Sequence, residues 1–278
     1  MRAELIRIER SVFAWLGASG RLDVAELDDD GRPGPTRTLL SGAARPGAFA
    51  GRLHAIVGRE RLTLDASGSI VARAPVLGPD IDELLAWLAA EAAIVVSEGQ
   101  TCVRRLDVDL SIPLTPAFFG LAHPPLLRAI EGRIVWAQSA VHLGVINLVR
   151  GSRPQPLGGV ERLGWRSPGP ALALWIDAEQ RQAALLGDDG RLERFDLDTG
   201  RSLSVAWLPT GTCAASPDLA RFVAVEHRTA REATSRPTRE AVRSDGWAPG
   251  PAALWVDADA LLILDRYQLV RVEVPGRW

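Results

Sequence analysis

An all-β chain, folded as a single β-propeller of about seven four-stranded blades with six as the alternative count, follows from three features of the sequence. A unit of about forty residues recurs along it, short alternating apolar runs are bounded by turn residues every 8 to 12 positions, and Gly and Asp turns bracket the best-formed of those runs.

The repeat is clearest in the second half. Residues 165 to 178 read WRSPGPALALWIDA and residues 247 to 258 read WAPGPAALWVDA. Trp175 and Trp255 thus lie 80 residues apart, two units of about forty, and forty residues is the size of one four-stranded blade. A small residue followed by Trp recurs as Phe13-Ala14-Trp15, Leu85-Ala86-Trp87, Leu163-Gly164-Trp165, Val205-Ala206-Trp207 and Gly246-Trp247. The intervals are 72, 78, 42 and 40. The first two are roughly doubled, which places degenerate units near Leu53 and Leu127 and gives a mean step of about 39.

Within the units, LGASGRLDVAELDDDGR (16 to 32) is matched by LGDDGRLERFDLDTGR (186 to 201). In both, a Gly turn opens an alternating strand and an Asp/Gly turn closes it, which predicts hairpins. The runs at 133 to 151 and 261 to 274 alternate in the same way. Residues 79 to 93 are different, since Asp80 and Glu83 form a capping box ahead of an Ala- and Leu-rich stretch with high helix propensity. Aligning Leu85-Ala86-Trp87 on Leu163-Gly164-Trp165 brings Ala93-Ile94-Val95-Val96 onto Ala171-Leu172-Ala173-Leu174, and strands are therefore expected there as well.

At 278 residues and 47% apolar the chain can bury one core, so residues 1 to 278 are read as one domain. Its open edge must be sealed. The alternating segment from Glu4 to Ile8 is expected to pair with the C-terminal blade formed by 252 to 258, 261 to 266 and 268 to 274.

Net charge is −2, with both signs spread along the chain, which argues against a nucleic-acid face. Every basic residue other than histidine is Arg, and Asn147 and Tyr267 are single examples of their types, a bias of GC-rich bacterial genomes. The first ten residues lack the apolar run of a secretory leader, Cys102 and Cys213 are the only cysteines, and no stretch approaches the ~18 apolar residues of a membrane span. A cytoplasmic location is expected.

SPGPALAL (167 to 174), ASPDLARFVAVEH (215 to 227) and DDGRLERFDLDTGR (188 to 201) resemble the WD-repeat and quinoprotein-like β-propeller superfamily, in which a Ser-Pro-Asp turn joins two strands and an Asp-Gly turn leads to Asp-x-x-Thr-Gly. The resemblance is strong over about 160 to 274 and weak before it. The Gly-His and Trp-Asp dipeptides of true WD repeats are absent, as is the tryptophan-docking motif of quinone-binding propellers, so the resemblance implies architecture without a cofactor. Lysine-free propellers of this size also resemble components encoded beside AAA+ ATPases and von Willebrand A-type proteins in bacterial conflict systems, which implies such proteins as partners.

No residue pattern announces chemistry. His54, His123, His142 and His227 fall in separate units, Asp28-Asp29-Asp30-Gly31 lacks the alternate oxygen spacing and distal Glu of a calcium loop, and neither a phosphate loop nor a nucleophile elbow is present. No catalytic, cofactor-binding or metal-binding residue is assigned. Cys213 and His227, 14 residues apart, are the nearest approach to a nucleophile and base. Trp15, Trp87, Trp165, Trp207 and Trp247 are read as fillers between blades, leaving Trp136 and Trp278 freer, with Trp278 a hot-spot candidate.

The segment from Glu226 to Asp245 lacks apolar alternation and carries Arg228, Arg231, Arg236, Arg239 and Arg243, so it is expected as a long polar loop whose arginines, with Trp278, bind a partner. A smaller analogue runs from Gly31 to Gly51, with Arg37 and Arg45. A non-enzymatic scaffold or subunit of a bacterial multiprotein assembly is the resulting expectation, and a propeller-type lyase or hydrolase acting on a sugar or small molecule at the channel mouth is the alternative. A convergent cluster of His, Asp, Glu or Arg would favour the enzyme; an exposed apolar or Arg-rich patch would favour the scaffold.

Overall fold

The computed structural model describes residues 3–113, 126–130, 133–139, 142–147, 154–156, 171–177, 179–209, 212–226, 228–235, 253–265 and 268–274. Every element among them is a strand, and neighbours in sequence pair antiparallel in meanders. The first sheet is β1 (Ala3–Ile8), β2 (Ser11–Leu16), β3 (Arg21–Glu26) and β4 (Arg37–Leu40). The second is β5 (Gly47–Phe49), β6 (Arg52–Val57), β7 (Glu60–Leu64) and β8 (Ile70–Pro75), and the third β9 (Glu83–Ala89), β10 (Ala92–Ser97), β11 (Gln100–Arg105) and β12 (Leu110–Pro113). The fourth is β13 (Leu126–Ile130), β14 (Arg133–Ser139), β15 (His142–Asn147) and β16 (Pro154–Pro156), and the fifth β17 (Ala171–Asp177), β18 (Gln182–Gly187), β19 (Arg191–Asp196) and β20 (Ser202–Trp207). Three strands each make the sixth, β21 (Thr212–Ala215), β22 (Phe222–Glu226) and β23 (Thr229–Glu232), and the last, β24 (Ala253–Asp257), β25 (Ala260–Asp265) and β26 (Gln268–Glu273).

One expectation needs correction here, the blade count: among the described residues five sheets have four strands and two have three, and the six-bladed alternative is supported where seven is not. At the N-terminus, β1 folds onto β2, with Ala3 opposite Leu16 and Ile8 opposite Ser11. The reason is local: Glu9 and Arg10 form a two-residue turn with Glu9 at φ 53, and a neighbour two residues away closes with far less chain entropy than one at the other terminus.

The chain divides into two compact units, Met1–Phe118 with Leu262–Arg271, and Phe119–Leu261 with Val272–Trp278. The first has two apolar clusters. Phe13, Trp15, Leu22 and Val24 pack against Leu53, Leu62 and Leu64 of the second sheet, and Ile56 and Val76 pack against Leu84, Trp87, Val95 and Cys102 of the third. The second unit repeats the scheme, with Val135 and Ala137 against Leu174, Leu185 and Phe195, and Leu186 and Leu192 against Cys213, Phe222 and Ala224. Each fully buried Leu, Val or Phe stabilises the fold by about 1.5–3 kcal/mol relative to exposure.

The segment from 80 to 92, helical by propensity, forms strand from Glu83 to Ala89 and a turn into β10. β9 and β10 meet at a turn at Ala90 and Glu91, with Ala93 opposite Trp87. Asp80 caps no helix; its Oδ1 accepts from Arg59 Nη1 at 2.8 Å, and its carbonyl accepts from Ser97 Oγ at 2.7 Å. Cross-strand pairing and burial of Leu84, Leu85 and Trp87 outweigh a preference worth only tenths of a kcal/mol per residue.

The predicted turns are present. Gly20 and Gly190, at φ 59 and 79, open β3 and β19. The Asp28 carboxylate accepts from the amides of Asp30 and Arg32 at 3.0 and 2.7 Å, and Asp196 accepts from those of Asp198 and Thr199, so both acidic runs spend their oxygens on their own turns. Ser216 donates to Asp218 at 2.6 Å inside the Ser-Pro-Asp turn between β21 and β22.

Candidate functional site

The small-Trp motif does not mark one strand position. Trp15 lies on the second strand of its sheet, Trp87 on the first and Trp207 on the fourth, while Trp175 and Trp255 both lie on first strands two sheets apart. Trp15 and Trp87 nevertheless fill the spaces flanking the second sheet, as expected of core residues. Trp15 Nε1 donates to Ala43 O at 3.0 Å and Trp87 Nε1 to Arg45 O at 2.6 Å, so both indoles grip the short segment ahead of β5. Gly47 follows that grip because a Cβ there would stand 2.6 Å from the Trp87 ring. Trp136 is placed on β14, but its side chain, like Trp165, Trp247 and Trp278, lies outside the described residues.

Arg45, expected in a docking loop, is half-buried. Its Nε donates to Glu4 Oε2 at 2.7 Å, its Nη2 to Glu4 Oε1, and its Nη1 to Leu85 O at 2.5 Å, so one guanidinium bridges β1, the β5 approach and β9. Loss of solvation opposes the charge, and the Glu4 carboxylate more than compensates, leaving the Arg45 pKa above its ordinary value. Arg37, its companion, starts strand β4 and donates to Ser67 O.

Beside this bridge, His54 packs against Phe49 and Trp87 with ring centroids 5.9 and 6.1 Å away, and its Nδ1 lies 3.3 Å from Thr63 Oγ1. Burial first, then the Arg61 charge, push its pKa below 6.5. The sign follows: the unfolded chain takes up a proton that the folded chain refuses, so His54 costs stability as pH falls below about 6.5. The thermal midpoint should therefore drop between about pH 7 and pH 5 and do so less in His54→Asn, measured by calorimetry across that window. The depressed carboxylates Asp65, Asp107, Asp196 and Asp218 act only below their unfolded value of 3.8.

Cys213, offered as the nearest approach to a nucleophile, sits in an apolar cluster and burial holds its thiol protonated. His227 lies outside the described residues. Both cysteines are free. Among the described residues, no three His, Cys, Asp or Glu side chains converge as a metal would require, and no helix is long and apolar enough to cross a membrane.

The Arg-rich segment is not one loop. Its first third is a hairpin, with Arg228 at φ 66 in the turn and Arg231 on β23 opposite Ala224. Only Ala230 faces inward, which is why no alternation shows in the sequence. Arg228 and Arg231 are exposed, whereas Glu232 turns back to accept from Arg221 Nε at 2.8 Å. Arg236, Arg239 and Arg243 lie outside the described residues.

The structure exposes a surface that sequence reasoning missed. Leu77, Val108, Leu110 and Ile112 are 41–48% exposed. Leu77 N donates to Leu106 O at 3.2 Å, which seats Leu77 beside the turn that leads into β12, and Val108, Leu110 and Ile112 follow at a spacing of two. Fully buried Arg104 fixes this arrangement by donating to the carbonyls of Leu77 and Pro79. Charged pairs flank it, Arg105 with Asp107 at 2.6 Å and Arg59 with Asp80 at 2.8 Å. β8 adds Ile70 and Val71, 38% and 45% exposed, on the free edge of the neighbouring sheet. Exposed apolar side chains beside charged pairs are a feature of protein-binding surfaces.

No protein-family model matches this sequence, and no curated protein matches it. Solved structures do. Hsv2 of Kluyveromyces lactis is similar at TM-score 0.56 and 11% identity, over 99% of this chain and 98% of that one. The β-propeller domain of Cps50 (Swd1) from Myceliophteria thermophila is similar at TM-score 0.58 and 13% identity, over 99% and 96%. The chain has the β-propeller fold. At these identities the likeness extends to the propeller's architecture and to no residue of a site. Within a propeller, β8 and β12 are the last strands of their meanders, and Ile70, Val71, Leu110 and Ile112 stand on them.

Proposed function

We propose that this propeller is a non-enzymatic protein–protein interaction scaffold, a subunit of a cytoplasmic bacterial multiprotein assembly, closed as one domain over residues 1 to 278. The observation that carries the reading is the exposed apolar edge of Leu77, Val108, Leu110 and Ile112. Four such side chains in water cost free energy that a partner's surface would recover, at roughly 25 cal/mol per Å² buried. Arg228 and Arg231, with Arg236, Arg239, Arg243 and Trp278, form the second contact of the proposal, since arginine and tryptophan suit interfaces by planar donors and large apolar area. AAA+ ATPases and von Willebrand A-type proteins are the partner classes to test first.

The test is quantitative affinity purification from the native host with wild type, Leu110→Ser/Ile112→Ser, and a variant with the five arginines changed to Ser. Both variants should keep the wild-type unfolding transition within about 0.5 kcal/mol, since Leu110, Ile112, Arg228 and Arg231 are exposed. Recovery of a stoichiometric partner should fall at least about tenfold in the apolar variant. Undiminished recovery in both would reject the reading.

A further inference from the structure

A pocket of about 170 Å³ lies between β19–β20 and β22–β23, walled by Leu192, Arg194, Ser204, Arg221, Phe222 and Glu232. Its two guanidiniums are committed to different degrees. Arg221 is engaged on every side: it holds Glu232 at 2.8 Å through both Nε and Nη2, donates through Nη1 to Ala258 O at 2.5 Å, and stacks 5.1 Å from the Trp255 ring centroid. Arg194 makes one hydrogen bond, from Nη2 to Gln182 Oε1 at 2.6 Å, and its Nε is buried without a partner. A cation in a concave, partly apolar wall with donors unspent is poised for an anion, and a charge-assisted bond strengthens where water is scarce.

Charge and size narrow the anion. The Glu232 carboxylate shares the wall, and Asp218 interacts electrostatically with Arg194, so a second negative charge on the ligand would meet repulsion. At about 30 Å³ per water, the volume holds roughly six non-hydrogen atoms. Leu192 and Phe222, both buried, supply an apolar surface for a short stem.

We propose that this pocket binds a single carboxylate on a short alkyl stem, the size of a glutamate side chain, with its oxygens on Arg194. That chemistry is shared by a free short-chain acid and by a glutamate presented on another protein, and the proposal does not depend on the scaffold reading.

Calorimetric titration of the full chain would use butyrate, N-acetyl-glutamate N-methylamide, its glutamine counterpart and inorganic phosphate. Saturable carboxylate binding, at least about tenfold tighter than the glutamine counterpart, is expected, with the tighter of butyrate and blocked glutamate naming the source. Arg194→Gln should abolish it. Ser204→Phe, at an exposed position on the β20 wall, should abolish it too without touching the guanidinium, which covers the case in which Arg194→Gln fails to fold. Equal binding of the glutamine compound, tighter binding of phosphate, wild-type affinity in the folded variants, or no saturable binding of either carboxylate would each overturn the proposal.

Discussion

Truncating Trp87 to alanine is expected to cost about 3–5 kcal/mol of unfolding free energy, the range for deleting a large aromatic from a packed core. Its indole, 7% exposed, packs with Ile56, Val76, Leu84 and Val95, meets the rings of Phe49 and His54, and bonds Arg45 O. Trp87→Phe keeps most of the packing and loses the bond, so it should fall between the two. Leu203→Ala, at a position 46% exposed, should change stability by less than about 0.5 kcal/mol. Urea titrations of the three variants check the order.

Arg45→Met should be nearly as damaging, at about 3 kcal/mol, because it takes the Arg45 bonds from the Glu4 carboxylate in a mostly buried place and removes the Arg45 donor from Leu85 O. The two charged groups keep 14% and 16% of their side-chain exposure, which puts the cost at the low end for a buried pair. Adding Glu4→Gln to Arg45→Met should restore much of the loss, since the mostly buried charge is then gone. A double-mutant cycle by chemical denaturation reads this coupling directly.

The hairpins were legible in the sequence because turn chemistry is local. Gly20, Gly190, Asp28, Asp196 and the Ser216-Pro217-Asp218 turn act within a few residues of themselves, and each appears where its residues placed it. The 80-residue spacing of Trp175 and Trp255 was legible because both occupy first strands, two sheets apart. The small-Trp motif misled because an inter-sheet space can be filled from either side. Trp15 reaches it from a second strand and Trp87 from a first, so the spacing between motifs is not the spacing between sheets. The β1–β2 hairpin is fixed by chain proximity at the Glu9-Arg10 turn, whereas ring closure is a non-local event that sequence pattern does not report.

The candidate surface was hardest to read. Val108, Leu110 and Ile112 alternate with polar residues as a half-buried strand would, and nothing in that alternation tells an inner strand from a last one. Arg45 and Arg37 read as solvated loop charges, since the partner that buries Arg45 is Glu4, 41 residues away. Glu232 looked like one member of a charged loop, but its partner Arg221 comes from the preceding strand connection.

The most direct test is hydrogen–deuterium exchange of the chain free and in its purified native complex. The scaffold reading predicts slowed exchange over residues 106 to 113 and 70 to 77, with a second protected stretch at 228 to 243, and no change at the buried strands β2, β10 and β18. Unaltered exchange at both surfaces in the complex, or protection confined to other segments, would contradict it.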